Sequence, residues 1–168
     1  MSFSFGKNAY IAAGAVVRGN VTLGDDVGIW YNAVLRADLN TITVGDRSNI
    51  QDNCVVHPGG NAPVVIGNNV TVGHAAIIHG CTIGDNTMIG MGSIIMNGAV
   101  IGEHCLIGAG SLVTTGTVIP EGSVAFGRPA RVIRPVTEKE WNMLPRAAEF
   151  YVRNRERFAD DNTVLPDD

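Results

Sequence analysis

The sequence is short of aromatic residues (6%) and of charged ones (17%), has three cysteines among its 168 residues, and contains no long apolar run. Each shortage excludes something. A helix that crosses a bilayer needs roughly 18 or more consecutive apolar residues, and no stretch reaches that length. The opening MSFSFGKNAY has neither the basic start nor the apolar core of a signal peptide, so the expected compartment is cytoplasmic. Three cysteines, an odd number, fit a reducing compartment better than a disulfide framework. A net charge of -4 without a Lys/Arg cluster gives no electrostatic footprint for nucleic acid or anionic lipid, and neither is expected as a partner. What the chain does have is 45% hydrophobic content and 21 glycines, enough for one domain with a sizeable core.

The glycines recur at a fixed interval, often directly after Ile, Val or Leu. From Ile83 the chain divides into sixes without remainder: IGDNTM, IGMGSI, IMNGAV, IGEHCL, IGAGSL, VTTGTV, IPEGSV. The same rule holds from Ile11 to Asn40 and, after a short interruption, from Val44 to Val55. A period of six is that of a β-helix. The aliphatic first residue points inward, the small fifth residue fits beside a turn, and Gly or Asn accepts the positive backbone angle of a corner. Three hexads close one triangular coil, and stacked coils pair through parallel strands. The expected fold is an all-β solenoid, a parallel β-helix of hexapeptide repeats over residues 1–136. Cys54 and Cys105 fall at the small fifth place, as does Cys81 if the one-residue shortening before Ile83 lies ahead of it, and all three read as packing residues.

After Val124 the repeat stops at FGRPARVIRP. Thr137 opens TEKE, a capping box that predicts a C-terminal α-helix over 137–159. Trp141, Leu144, Ala148, Tyr151, Arg155 and Phe158 form a stripe at helical spacing that predicts packing against the solenoid. Pro145 is expected to divide the segment into two helices, and residues 160–168 form an acidic tail.

Dealing the hexads to three faces, with GGNAP near 59–63 treated as a bulging loop, stacks Arg36, His57 and His79 at one place of one face. Asp52 and His74 take the next place on the preceding face. Adjacent levels are about 4.8 Å apart, close enough for His57 and His79 to share one ion. His74 lies around a corner of the prism. It joins them only if a face of one chain packs on a different face of its neighbour, a contact that closes on itself in a cyclic trimer. Three histidines leave an open position on Zn²⁺, the catalytic pattern. The bland reading of a solenoid histidine is a surface or hydrogen-bonded residue, and His104 is assigned to it.

Arg36-x-Asp38, Asn49-x-Gln51-Asp52, His57 and Gly73-His74-x4-His79-Gly80, set in a hexapeptide solenoid with a C-terminal helix, resemble the gamma-class carbonic anhydrase family over roughly residues 5 to 158. The resemblance implies a left-handed β-helix and a homotrimer with Zn²⁺, or Fe²⁺ or Co²⁺, at each interface. His57 and His79 would come from one subunit and His74 from the next. It further implies an ion pair of Arg36 with Asp52 across the trimer contact, Gln51 orienting the reacting water, Asp38 and Asn49 in the polar surround, and Tyr151 reaching the pocket. The implied reaction is reversible hydration of CO₂ to bicarbonate. Characterised members place one glutamate where this chain has Leu39, and an acidic loop where it has PGGNAP. Loss of both carboxylates implies slow proton export and slow turnover.

Three other functions are compatible with the solenoid. An acyl-CoA-dependent acyltransferase would need a metal-free histidine base and a long protruding loop, and no such loop is visible. A metal-dependent thioester hydrolase would keep the histidine site and change the carbonyl attacked. A structural trimer would keep a vestigial site.

Overall fold

In the computed structural model, which describes residues 3–159, each coil contributes one short strand to each of three faces. The first face stacks Tyr10–Ile11, Gly28–Ile29, Asn49–Ile50, Thr71–Val72, Met88–Ile89, Leu106–Ile107 and Ser123–Gly127. On the second face lie the leading halves of Val16–Leu23 and Val34–Val44, then Val55–His57, Ile77–His79, Ile94–Ile95 and Leu112–Val113. Phe3–Phe5, the trailing halves of the two long strands, Val64–Ile66, Thr82–Ile83, Val100–Ile101 and Val118–Ile119 form the third. Neighbouring coils pair in parallel throughout, as a six-residue period requires.

The periodic residues fill the interior. Leu35, Val56, Ile78, Ile95 and Val113 stack inward from the second face and are buried, as are Ile29, Ile50, Val72, Ile89 and Ile107 from the first. The corner from first to second face is a column of left-handed residues: Gly14, Asn32, Asn53, Ala75, Gly92 and Gly110 all have φ between 58° and 73°. Ala75 is the one member of this column without the freedom of Gly or the local hydrogen bonding of Asn. Beside the column, Ala33, Cys54, Ala76, Ser93 and Ser111 form a ladder of small buried residues. Cys81 aligns with Ala99, since Val65 N–H donates to Cys81 and Thr82 N–H to Ala99. The one-residue shortening thus precedes Cys81, and all three cysteines are free and buried.

The structure departs from the sequence reading in two places, the interruption and Pro145, and between them shows how the repeat ends. The interruption after Leu35 lies at residues 38–40, because Gly19 pairs with Ala37 and Asn20 with Thr41, which leaves Asp38, Leu39 and Asn40 as an insertion at that corner. Gly19 tolerates the tight path opposite: its φ is 90°, and a Cβ there would meet the Ala37 carbonyl oxygen at 2.0 Å. FGRPARVIRP turns back, so that Ala130–Pro135 runs antiparallel to Ser123–Gly127 and ends the first face. Finally, Pro145 does not divide the C-terminal segment, which is one helix, α1 (Glu138–Ala159). Proline removes a single helical hydrogen bond there, and burial of Leu144 and Ala148 on either side holds the axis.

The capping box forms as predicted: Thr137 Oγ1 accepts from the Glu140 N–H at 3.3 Å, and Glu140 Oε2 accepts from the Thr137 N–H at 2.8 Å. With Arg134 also on it, the Glu140 carboxyl is held down to about 2. The stripe is less uniformly apolar than expected. Trp141 remains 38% exposed and stacks on the His104 ring at 3.7 Å between centroids. Arg155 is buried because it donates to the Asn8 carbonyl at 2.7 Å and pairs with Asp26, whose carboxyl it holds below the usual range. The Phe158 side chain and residues 160–168 lie outside the described residues.

Candidate metal centre

His79 sits in register with His57, one coil apart on the second face, with Arg36 and Arg18 in the same column. His57 Nδ1 lies 3.1 Å from His79 Nε2. The other nitrogen of each ring is held by an oxygen. His57 donates from Nε2 to Asp38 Oδ1 at 2.8 Å, and His79 donates from Nδ1 to Asn97 Oδ1. An oxygen acceptor requires the proton on that nitrogen, so in the neutral rings the two facing nitrogens both present lone pairs. Two lone pairs at that distance repel unless a proton or a cation lies between them. Two imidazole nitrogens on one tetrahedral zinc stand about 3.3 Å apart, so the observed spacing suits a shared ion.

Asp38 reaches His57 because the insertion at 38–40 folds its carboxylate back along the column. The His57 N–H, and then the Arg36 guanidinium, hold that carboxyl below its usual range.

His74 follows the first-face strand Thr71–Val72 at the corner, where its carbonyl accepts from the Gly92 N–H at 2.8 Å. Its Nδ1 faces Asp52 Oδ2 at 2.8 Å, which leaves Nε2 as the ring's acceptor. Its backbone N–H donates to Gln51 Oε1 at 3.1 Å. Gln51 Nε2 in turn donates to Asn49 Oδ1 at 3.2 Å, and Asn49 donates to Thr71 Oγ1 at 3.0 Å. Gln51 and Asn49 are buried. Tyr151 of α1 hydrogen-bonds to Gln51, and burial together with the nearby Asp52 charge pushes its phenol up. A cleft of about 460 Å³ opens beside His74 between the first face and α1, lined by Gln51, Met88, Met91, Phe150 and Tyr151 among others.

The predicted residues thus form two half-sites: His57, His79, Asp38 and Arg36 on the second face, and His74, Asp52, Gln51, Asn49 and Tyr151 on the first face and α1. Within the chain Arg36 pairs with Asp38 and Asp52 with His74; the Arg36 to Asp52 pair implied by the resemblance is one between subunits. Sequence reasoning missed Asn97, because counting one coil beyond His79 reaches Met96, one place short of it. Among the described residues, the group of ligand atoms that does gather within one chain is Glu103, His104 and Glu121, within 4.8 Å of one another. Both glutamates are exposed, and the imidazole is committed to its stack on Trp141.

The chain matches the family Bacterial transferase hexapeptide (six repeats) over residues 4–37, 63–95 and 80–115. It is similar to the "Probable carbonic anhydrase" of Methanocaldococcus jannaschii, 55% identical over 147 residues that cover 88% of this chain and 92% of that one. With the carbonic anhydrase of Geobacillus kaustophilus it is 45% identical over 145 residues, 86% of this chain and 80% of the other. Gamma carbonic anhydrase 1, mitochondrial, of Arabidopsis thaliana is 43% identical over 162 residues, 93% of this chain but 59% of the longer plant protein. Among solved structures, a hexapeptide transferase family protein from Anaplasma phagocytophilum superposes with a TM-score of 0.87 at 41% identity, covering 93% of this chain and 96% of that one. The Bacillus cereus N-acyltransferase AntD, solved with coenzyme A, shares the fold at a TM-score of 0.74 and 20% identity, covering 88% of this chain and 90% of that one.

Proposed function

Because the chain belongs to the gamma-class carbonic anhydrase family of hexapeptide-repeat proteins, we propose that it hydrates CO₂ reversibly to bicarbonate as a metal-dependent homotrimer. His57 and His79 of one subunit and His74 of its neighbour hold a divalent cation, Zn²⁺ first, with Fe²⁺ or Co²⁺ also suited to imidazole donors. The observation that carries this reading is the fixing of all three rings. Asp38, Asn97 and Asp52 each hold one ring nitrogen and leave the other as a donor for a cation, and ligating histidines are characteristically supported in this way. When bound, the cation supplies Lewis acidity, which lets a water ionise far more readily than in bulk.

The remaining chemistry belongs to the chain's own residues. Gln51, fixed through its carbonyl by the His74 N–H and through its amide by Asn49, keeps its position without solvent reorganisation. Tyr151 keeps its proton across the neutral range and serves as a hydrogen-bond donor at the mouth of the cleft. Met88, Met91 and Phe150 give that cleft an apolar wall suited to a nonpolar gas. Leu39 is 62% exposed in the insertion beside Asp38, where it offers no carboxylate to carry a proton away. The loop after His57 is closed by a Gly59 to Ala62 bridge and offers none either. Proton export therefore falls to external buffer, and turnover rises with buffer concentration.

The test is elemental analysis of tag-free protein together with stopped-flow CO₂ hydration, with His74→Ala as control. About one metal per chain, lost in the variant along with hydration, is the expected result. Metal bound without hydration would leave the thioester hydrolase reading, and no metal after anaerobic reconstitution with zinc or iron would sink the site.

A further inference from the structure

The cleft beside His74 has a rim and an inner end. Met91 and Phe150 are 58% and 59% exposed at the rim, whereas Gln51 and Thr71, which also line the cleft, are each 4% exposed. The inner end lies between the first face and α1 of one chain, since α1 packs on the strands Asn49–Ile50 and Thr71–Val72 and adds Ala147 and Tyr151 to the lining. Its burial therefore does not depend on a neighbouring subunit. We infer that this inner end binds bicarbonate, and that the Thr71 hydroxyl donates a hydrogen bond to it.

The direction of that hydroxyl is dictated from His74. A backbone N–H can only donate, so the His74 N–H makes Gln51 Oε1 an acceptor and turns Nε2 away from it. Nε2 then donates to Asn49 Oδ1 at 3.2 Å, which leaves Asn49 Nδ2 to donate to Thr71 Oγ1 at 3.0 Å. Each amide has one end for each role, so the direction passes along the chain without a choice. It ends at Thr71, in register with Asn49 on the adjacent strand. The Thr71 oxygen is used as an acceptor, and its hydrogen meets no acceptor among the described residues. The next residue in the column is Met88, whose thioether accepts only weakly. A donor left unmet at that depth is costly, and the space it borders is the cleft.

The ligand follows from what else borders that space. Tyr151 brings a second hydroxyl from α1, and no carboxylate lines the cleft. The nearby Asp52 carboxylate is engaged by the His74 ring. An incoming oxyanion thus meets donors and no unengaged like charge. A nonpolar gas has weakly accepting oxygens and gains little from such donors. Bicarbonate carries its charge on oxygen, and hydrogen bonds to a charged acceptor are roughly twice as strong as neutral ones. An oxygen turned to the open rim keeps its water, so the anion is not fully desolvated. The identity of the ligand rests on the CO₂ hydration reading, within which the inner end becomes a holding position for the product, apart from the cation. The donors themselves belong to one chain and do not require the histidines to hold a metal.

Carbon NMR relaxation of isotopically labelled bicarbonate tests the inference on the full chain, both metal-loaded and after chelation, in the wild type and in Thr71→Val and Thr71→Ser. Chelation removes binding at the cation and leaves the inner end to be read by itself. The chelated wild type is expected to bind bicarbonate saturably, at one per chain. Thr71→Val should weaken that binding by about tenfold or more, the worth of one charge-assisted hydrogen bond, and Thr71→Ser should restore most of it. In the metal-loaded protein Thr71→Val should raise the bicarbonate concentration that half-inhibits CO₂ hydration by a similar factor, with the metal content unchanged. Far-UV circular dichroism checks folding, and Thr71→Cys, a weak donor of the size of Ser, replaces Thr71→Val if that variant does not fold. No saturable binding to the chelated chain would overturn the inference and leave the metal centre standing, as would binding that Thr71→Val leaves unchanged, the mark of an anion held at the histidines instead. If the protein proves to hold no metal, so that the CO₂ hydration reading falls, binding of bicarbonate that depends on Thr71 would still support the site.

Discussion

At the scale of single residues, the histidines matter less than the oxygens behind them. Asp52 is partly exposed and its contact with His74 contributes little to stability, so its value lies in fixing the ring. Asp52→Asn and Asn97→Ala are each expected to weaken metal binding by about 10- to 100-fold while leaving the fold intact, read by competition with a chromogenic chelator. Unchanged affinity in both would mean that the rings are not oriented by these partners. Cys54 makes a different prediction. Its thiol donates to the Gly73 carbonyl at 3.1 Å, and burial pushes it up to about 11. A raised pKa stabilises the fold below the pKa of the unfolded thiol, about 8.5, and that contribution falls as pH rises from there towards 11. Cys54→Ala, which copies Ala33 and Ala76 in the adjacent coils, should therefore reduce the loss of stability between pH 8.5 and 11, by on the order of 2 kcal/mol in chemical denaturation at the top of that range. An identical alkaline profile would assign the loss to other groups.

At the scale of elements, the corner column shows how a local rule can be broken next to a candidate ligand. Ala75 holds φ of 58° directly after His74, where five other coils use Gly or Asn. Left-handed backbone costs an L-residue about 1–2 kcal/mol, and glycine returns part of that through its greater freedom in the unfolded chain. Ala75→Gly is expected to raise stability by about 0.5–1 kcal/mol in urea titration, and a loss would mean that the Ala75 methyl packs where the corner needs it. The capping box at Thr137 and Glu140 was legible in four letters because both partners lie within one helical turn. The stack of Trp141 on His104 and the pairing of Arg155 with Asp26 were not, since each joins α1 to a coil whose closeness depends on how the helix lies. Pro145 misled for the same reason: local chemistry favours a break, and the packing of Leu144 and Ala148 overrides it.

At the scale of the whole molecule, the two half-sites lie on different faces, and the proposed trimer is what would bring them together. Metal would then act as a linker between subunits as well as a cofactor. Removing it at low micromolar protein should shift mass from trimer towards monomer in sedimentation velocity and lower the midpoint of thermal unfolding by about 5–10 °C, the effect of losing a ligand present at about 100 times its dissociation constant. A chelated sample with unchanged mass and midpoint would place the histidines outside the interface.

By itself the sequence determined the coil, the inward columns and the shared column of Arg36, His57 and His79, because a strict six-residue period converts chain distance into height and face. It also separated His74 from that pair by one corner. Tertiary structure alone decided what fills the spaces between repeats: that residues 38–40 turn Asp38 onto His57, that Asn97 from the next coil holds His79, and that within the chain Asp52 reaches His74 and Asp38 reaches Arg36. Those partners sit in insertions or across coils, where the choice among nearby acceptors depends on side-chain reach and competing hydrogen bonds, which a period does not encode.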